Sequence, residues 1–489
     1  MNPSEKKQGK NGVPLTYAHF CQERPLNTPS EVIQVSSFDP AALLGRLRRR
    51  HPRLPLLHID RERTTGWSHV AVRFDRILVE GPEGLLWFGA EGEPLPSEPP
   101  GLQDPQGSKA PKGPKGWSAD SLLSRPLADA GRIADGSPRS GSDGPPFSSG
   151  LAILLPFEMA EGWEPSGGPF RGPRVPAVVL SCREVVSYHA PTGRLFLPPG
   201  FDKALLDPLS FAPPPPVLLR PSLSREGFSG LFRPIVRGLE RGDYFQVNIA
   251  LRFGAELPED FDPLALYARL LGRSRSRYGG FFSFRDRFLV SHSPEQLLAL
   301  SGDRVRTRPI AGTAPGPAPS SGPDPLLTDE KLRAEHIMTV DLLRNDIGRV
   351  SRAGTVAVPA LLAVEPYPHL RHLVSEVTGR VDPRLSRGEV LRSLFPGGSV
   401  TGAPRVRVRR EIGELEGEPR DYYCGTLGYL SEEGEMDMAL LIRTLEGRRE
   451  GSGGRLVFGA GAGIVADSRE EEEYAEILLK ARAMEEMLR

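Results

Sequence analysis

Beyond about residue 220 the apolar residues of this chain come only in short runs. GGFFSF (279–284), RFLVSH (287–292), CGTLGYL (424–430), MALLIRTL (438–445) and RLVFGAGAGIV (455–465) each have the length of one strand and turn-like flanks. A chain patterned this way must build sheets, and the stretches between the runs leave room for helices. TDEKLRAEHIMTVDLLRND, with the isoleucine after it, carries Ile337, Val340, Leu343 and Ile347 at helical spacing, with Thr328 as the expected N-cap. SREEEEYAEILLKARAMEEML places Ala475, Leu478, Leu479 and Arg482 on one side of a last helix. Strands alternate irregularly with helices and no repeat of solenoid period is present, so the expected fold class is α+β.

Glycine (54) and proline (50) are abundant and unevenly spread. The stretch from about Glu91 to Gly150 is too poor in large apolar residues to pack, and is read as a long flexible insertion. FAPPPPVLL (211–219) reads as a stiff polyproline joint. Together they divide the 489 residues into an N-terminal region, 1–220, and a C-terminal region, 221–489. Lys plus Arg equals Asp plus Glu at 62 each, so no global field favours nucleic acid or an anionic membrane. The three cysteines, Cys21, Cys182 and Cys424, form no CxxC pair and fit a reducing compartment. Met1 is followed by a polar stretch without the apolar core of a signal peptide, and no apolar run approaches the ~20 residues of a membrane span. The expected location is cytoplasmic.

Two helical stretches carry carboxylates. One offers Glu335; the other offers Glu473 and Glu476, three apart and on one face. Hard cations such as magnesium take a few carboxylate oxygens and keep positions open for an anionic substrate. The plain alternative is a solvated face with an ordinary Glu476–Lys480 pair. FGAGAGIVADS (458–468) follows a strand pattern, and glycine-rich backbone there can turn amide hydrogens toward an anion or simply make a tight turn. Arg443 ends an apolar run, where a guanidinium is costly to bury without an anion; capture of a carboxylate and an internal salt bridge both answer that cost.

From about Gly242 to Arg482 the sequence resembles the chorismate-binding family, which includes anthranilate synthase and aminodeoxychorismate synthase component I with isochorismate and salicylate synthases as cousins. The matching segments are GDYFQVNIALRF, SPEQLL, TRPIAGT, RAEHIMTVDLLRNDIGRV, HLVSEVTG, FPGGSVTGAP, YCGTLGYL, IRTL and GAGIVADS, all in family order. The resemblance implies two stacked antiparallel β-sheets flanked by helices, with the site in a cleft. It implies Glu335 and Glu476 as magnesium (Mg2+) carboxylates, with Glu473 in an outer position. Gly312, Thr313, Tyr423, Arg443, Gly461, Ala462, Gly463 and Lys480 become substrate contacts. Glu295 becomes the acid and base at the leaving hydroxyl, with His372 and Ser399 beside the ring. Leu332 departs from the pattern, standing where the family usually has an acid.

Within that family Gln246 takes the place of a lysine that activates water in isochorismate and salicylate synthases. Ammonia is then the expected nucleophile. Ala311 stands where many aminodeoxychorismate enzymes have a lysine, as anthranilate synthases do, and closes a covalent route through that amine. GDYFQVN and FPGGSVTGAP lean the other way. The segments equivalent to the tryptophan feedback site of anthranilate synthases are Leu56–Leu57–His58–Ile59 and Arg277–Tyr278–Gly279. Ile59 lacks the serine's hydroxyl there, and Gly279 lacks the methionine wall. The expected reaction is conversion of chorismate and ammonia to 4-amino-4-deoxychorismate for para-aminobenzoate and folate synthesis. No nucleophile-bearing GxCxG segment and no pyridoxal-phosphate lyase domain is recognised, so a separate glutamine amidotransferase subunit is the expected ammonia source and pyruvate elimination falls to another enzyme. Formation of anthranilate is the alternative. A non-catalytic relative, supported by Leu332, by GTAPGPAP and by the long insertion, is the reading of another class.

Overall fold

The computed structural model describes residues 31–81, 84–90, 92–95, 144–169, 171–316, 322, 324–366 and 370–488. Most of the expected insertion, 96–143, lies outside the described residues, as do residues 1–30 with Cys21. Within the described residues, 21 strands join in one hydrogen-bonded ladder. Its spine is the antiparallel pair Trp67–Gly81 and Ala177–His189. On one side, Leu56–Arg61 leads through Tyr278–Phe284, Arg287–Ser293, Thr444–Glu450 and Gly453–Ile464 to Gln246–Leu257. On the other, Gly150–Leu155 leads through Thr426–Ser431, Met436–Leu440, Gln296–Ser301 and Arg304–Arg308 to Leu370–Arg380. Leu370–Arg380 also carries Ile310–Pro315 and Ala357–Pro366.

Period-two alternation stacks these arms face to face. Leu57, Ile59, Phe282 and Leu289 of the first arm share one core with Ala152, Leu154, Leu427 and Tyr429 of the second. Their sequence neighbours point outward. Leu56, Phe281, Val290 and Leu445 pack with the helices Pro40–Arg50, Arg225–Glu240, Pro263–Arg273 and Glu470–Leu488. Ile153, Leu298, Leu430 and Met438 pack with Glu330–Gly348 and Arg387–Leu394. Each such side chain contributes roughly 1.5–3 kcal/mol when taken fully out of water. The α+β class and the two stacked antiparallel layers are therefore as expected, but the layers are two arms of one ladder. Register shifts in the spine between Ala71 and Arg76 mark the bend, and Val70 serves the first outer core while Leu78 serves the second.

Several local readings change. Asp329 caps Glu330–Gly348, its side chain accepting from the Leu332 N–H, while Thr328 ends a separate short helix, Pro325–Thr328. A carboxylate next to the first turn accepts amide hydrogens better than a threonine one residue earlier. Ile337 of the expected stripe is exposed, and the buried row is His336, Val340, Leu343 and Ile347. The last helix buries Glu473, Ile477, Ala481, Met484 and Leu488, whereas Leu479 is 66% exposed. The side bearing Ala475, Leu478, Leu479 and Arg482 is therefore not the packed face, which follows the Ile477, Ala481, Met484 row with Leu478 at its edge. MALLIRTL is broken between Met436–Leu440 and Thr444–Glu450. Phe147, inside the span taken as insertion, is buried and stacks on Tyr429 at 4.6 Å between ring centroids. The prolines of 211–219 form neither helix nor strand. Among the described residues no helix is long and apolar enough to cross a membrane.

Candidate active site

The inner face of Gly453–Ile464 is nearly bare backbone. A Cβ on Gly459 would collide with the Tyr423 ring, one on Gly461 would meet the Tyr423 hydroxyl at 3.0 Å and Asn248 Oδ1 at 2.8 Å, and one on Gly463 would meet Gln246 Nε2 at 2.5 Å. Alternate glycines thus let Tyr423, Asn248 and Gln246 lie close against the strand. Asn248 Oδ1 is buried with no hydrogen-bond partner. Ala462, between two of these glycines, belongs to the outer core, so its side chain faces away and only its backbone is left to touch a ligand.

Arg443 sits in the break between two strands with φ 50, a left-handed conformation that costs an arginine about 1–3 kcal/mol. Burial pulls its pKa down, and among the described residues its guanidinium has no ion-pair partner. A strained, desolvated and unpaired cation is what an anionic ligand would complete. Its carbonyl accepts from the His292 N–H at 3.1 Å. Burial first, and Arg443 second, lower the His292 pKa to about 4, so a neutral imidazole stands beside the guanidinium. Nothing in the sequence marks His292, which closes RFLVSH like any polar residue at a strand end.

Glu295 stands two residues past the end of the Arg287–Ser293 strand and is buried. Its N–H donates to Ser293 Oγ at 3.2 Å and its carbonyl accepts from Leu440 at 3.1 Å, which fixes the backbone. Burial raises its pKa to about 7, opposed by a 2.6 Å hydrogen bond that Ser399 Oγ donates to Oε1. Ser399 is held in the short 3-10 turn Gly398–Val400. The result is a carboxyl half-loaded with a proton near neutrality, the state a proton donor needs.

On the second arm His372 pairs with Thr313, and its Nδ1 lies 3.0 Å from the Gly312 carbonyl. A carbonyl only accepts, so Nδ1 carries the hydrogen and Nε2 the lone pair. Burial lowers the His372 pKa, which keeps the ring neutral. Gly312 has φ 59, and a Cβ there would meet Leu332 Cδ2 at 2.5 Å. Leu332, the departure from the family pattern, therefore packs over the Gly312 turn.

The carboxylates converge on Lys331. Its Nζ lies 3.3 Å from Glu473 and 3.9 Å from Glu335. Glu473 is buried and also accepts from Ser468 Oγ at 2.7 Å. Glu335 Oε1 is buried without a hydrogen-bond partner, and burial together with Glu473 and Glu476 raises its pKa to about 7 against the pull of Lys331. The buried, unpartnered Glu335 Oε1 beside a second buried carboxylate fits a hard divalent cation. Glu476 is turned outward, its carboxylate 2.7 Å from Lys480, whose Nζ also donates to the Gly461 carbonyl at 2.7 Å. The ordinary i,i+4 pair is thus present, and among the described residues no three His, Cys, Asp or Glu side chains are grouped to hold a metal. Lys331 was missed in the sequence because nothing in DEKL distinguishes a site lysine from a solvated one.

Layered α+β arms, a glycine-lined strand, a buried carboxyl at Glu295 and the guanidinium of Arg443 define a scaffold suited to binding a small anion. A family model described as chorismate binding enzyme matches residues 206–486, and the chain belongs to that family. It is similar to aminodeoxychorismate synthase component 1 of Escherichia coli (strain K12), 41% identical over 264 residues that cover 52% of this chain and 56% of that protein. It is likewise similar to anthranilate synthase component 1 of Thermus thermophilus, 44% identical over 265 residues, covering 53% of this chain and 56% of that protein. The chain thus spans little more than half the length of these curated relatives. Anthranilate synthase component I from Streptococcus pneumoniae superposes with a TM-score of 0.67 at 27% identity, covering 86% of this chain and 92% of that one.

Proposed function

We propose that the chain aminates chorismate at C4, giving 4-amino-4-deoxychorismate, with ammonia from a separate glutamine amidotransferase subunit. The observation that carries this is the buried Glu295–Ser399 pair, a proton donor poised near pH 7. Arg443 and the amides of Gly461 and Gly463 would bind substrate carboxylate, with Tyr423 and His372 bounding the ring. Glu335 and Glu476 would hold magnesium, with Glu473 behind them and Lys480 guiding Glu476. When bound, the ion would neutralise the ring carboxylate and draw electron density from the ring. Glu295 gives its proton to the C4 hydroxyl, which leaves as water as ammonia forms the C–N bond. The resulting ammonium returns a proton to Glu295, so the acid is regenerated and the balance closes. Gln246, an amide, offers no base to activate water, which favours ammonia as the nucleophile.

A second reading, formation of anthranilate, is favoured by Ala311, a half-buried position without an amine. The test is incubation with chorismate, magnesium and ammonium at alkaline pH, with the product identified by mass and fluorescence. Para-aminobenzoate appearing only after a lyase is added supports C4 amination. Fluorescent anthranilate without an added enzyme supports the second reading. A folded chain with no turnover identifies a non-catalytic binding protein.

A further inference from the structure

The turn that carries Tyr423, residues 420–424, is bent against the preference of its own side chains. Asp421 has φ 58 and Cys424 φ 64, left-handed values that a non-glycine residue keeps only when its surroundings impose them. Here carboxylates impose them. The N–H groups of Arg420 and Asp421 both donate to Glu158, at 2.6 Å to Oε1 and 3.2 Å to Oε2. The next N–H, of Tyr422, donates to Glu446 at 3.1 Å. Successive amide hydrogens converging in this way form a concavity suited to an anion, and Glu158 fills it with its own side chain.

Glu158 stands outside residues 206–486, the span matched by the family model. It is buried at the start of the short helix Met159–Trp163, three residues beyond the end of the strand Gly150–Leu155. Phe157 supports the same turn twice. Its N–H donates to the Asp421 carbonyl at 2.8 Å, and its ring centroid lies 4.8 Å from the Arg420 guanidinium. Arg174, also N-terminal, donates through its backbone N–H and Nε to the Asp421 carboxylate at 2.6 and 2.9 Å. The N-terminal region thus grips the turn, and Arg420 carries the grip into the cleft. Its guanidinium lies 5.9 Å from the Tyr423 ring centroid and donates to the carbonyls of Val400, beside Ser399, and of Asn248, opposite Gly463.

We infer that Glu158 is a positioning residue of the site: by holding the left-handed turn it lays the Tyr423 ring against Gly459 and its hydroxyl toward Gly461. Buried beneath the turn, it acts through Tyr423 and not on substrate. The inference rests on the reading of this cleft as the chorismate site. Glutamine at 158 keeps one acceptor oxygen but turns amide hydrogens on a backbone N–H, so one hydrogen bond is lost and two donors face each other. The turn then relaxes and the ring shifts from the wall of the cleft.

The experiment measures chorismate binding to the full chain by calorimetry, with magnesium present and ammonium left out so that no amination intervenes. The variants are Glu158→Gln, Tyr423→Ala and the two combined, each checked for a cooperative melt. Glu158→Gln alone is expected to weaken binding about ten-fold or more, the scale of a mispositioned contact. In the Tyr423→Ala background the same substitution should change affinity by about two-fold at most, while its cost in melting temperature persists. That split is one a merely structural role would not produce. Equal losses of affinity in both backgrounds overturn the positioning role, as does unchanged affinity in a folded Glu158→Gln. If Glu158→Gln does not fold, Phe157→Leu, which takes away only the ring beneath Arg420, runs through the same cycle and decides. A wild-type chain that does not bind chorismate overturns the chorismate reading and the inference with it, whereas a wild type that binds, with an unaffected Glu158→Gln, overturns only the inference.

Discussion

Ser399 Oγ donates to Glu295 Oε1 across 2.6 Å, and this bond works against the burial that raises the carboxyl to about 7. A carboxyl whose folded pKa is raised stays protonated through the acid range and loses its proton as pH climbs past that value; its stabilising contribution, full below about 4.5, is lost over the same interval. At constant free ammonia, kcat/KM should therefore fall as pH rises through about 7. Removing the hydroxyl with Ser399→Ala removes the lowering influence, so the falling limb should move to higher pH. Glu295→Gln should lower the rate by roughly 10²–10⁴ and abolish the limb. A limb that stays in place in Glu295→Gln would assign the titration to another group.

Arg443→Gly separates stability from binding. Glycine accepts the φ of 50 without strain and leaves no unpaired cation in the cleft. The free protein should gain about 1 kcal/mol in a denaturant titration. The KM for chorismate should rise about ten-fold or more, the scale of a lost charge-assisted hydrogen bond. Unchanged substrate affinity would remove Arg443 from the binding site.

Glu476→Ala should abolish magnesium-dependent turnover while shifting stability by no more than about 0.5 kcal/mol, because its side chain is 52% exposed and, among the described residues, paired only along its own helix. Turnover unchanged at saturating magnesium would take Glu476 out of the site. Lys331→Met removes the cation that now bridges Glu335 and Glu473, so calorimetry should record tighter magnesium binding. Weaker binding would instead make Lys331 a support for the carboxylates.

Tryptophan should not inhibit. Tyr278–Phe284 pairs with Leu56–Arg61, bringing the two feedback-equivalent segments side by side with Gly279 opposite Asp60. Ile59 is fully buried in the inner core and offers no hydroxyl. The adjoining polar space is taken by Arg275, 2.6 Å from Glu62 and 3.5 Å from Asp60. Saturating inhibition by millimolar tryptophan would contradict this.

The strands were legible because their period-two runs are short and punctuated, and Phe281–Phe282 or Leu56–Leu57 already assign opposite faces. What pattern alone could not supply was the break at Arg443, since an apolar run that includes an arginine reads as continuous until the backbone turns left-handed. The roles proposed for Glu295 and Tyr423 rest on ordered segment resemblance, as no spacing rule singles out one buried glutamate among many, whereas Glu335 stood out already on its carboxylate-bearing helix. Lys331 and His292 escaped for a related reason. Their significance lies in partners from distant parts of the chain, Glu473 for one and Arg443 for the other.

The continuous ladder has a consequence for any attempt to isolate the family-matched half. Cutting the chain near residue 220 would remove Leu56–Arg61 from beside Tyr278–Phe284 and Gly150–Leu155 from beside Thr426–Ser431. Two central strands would become open edges, each presenting unsatisfied amides and carbonyls along an apolar face. Such edges recruit other chains, so the truncated half is expected to aggregate, and the N-terminal strands act as its built-in protection against self-association.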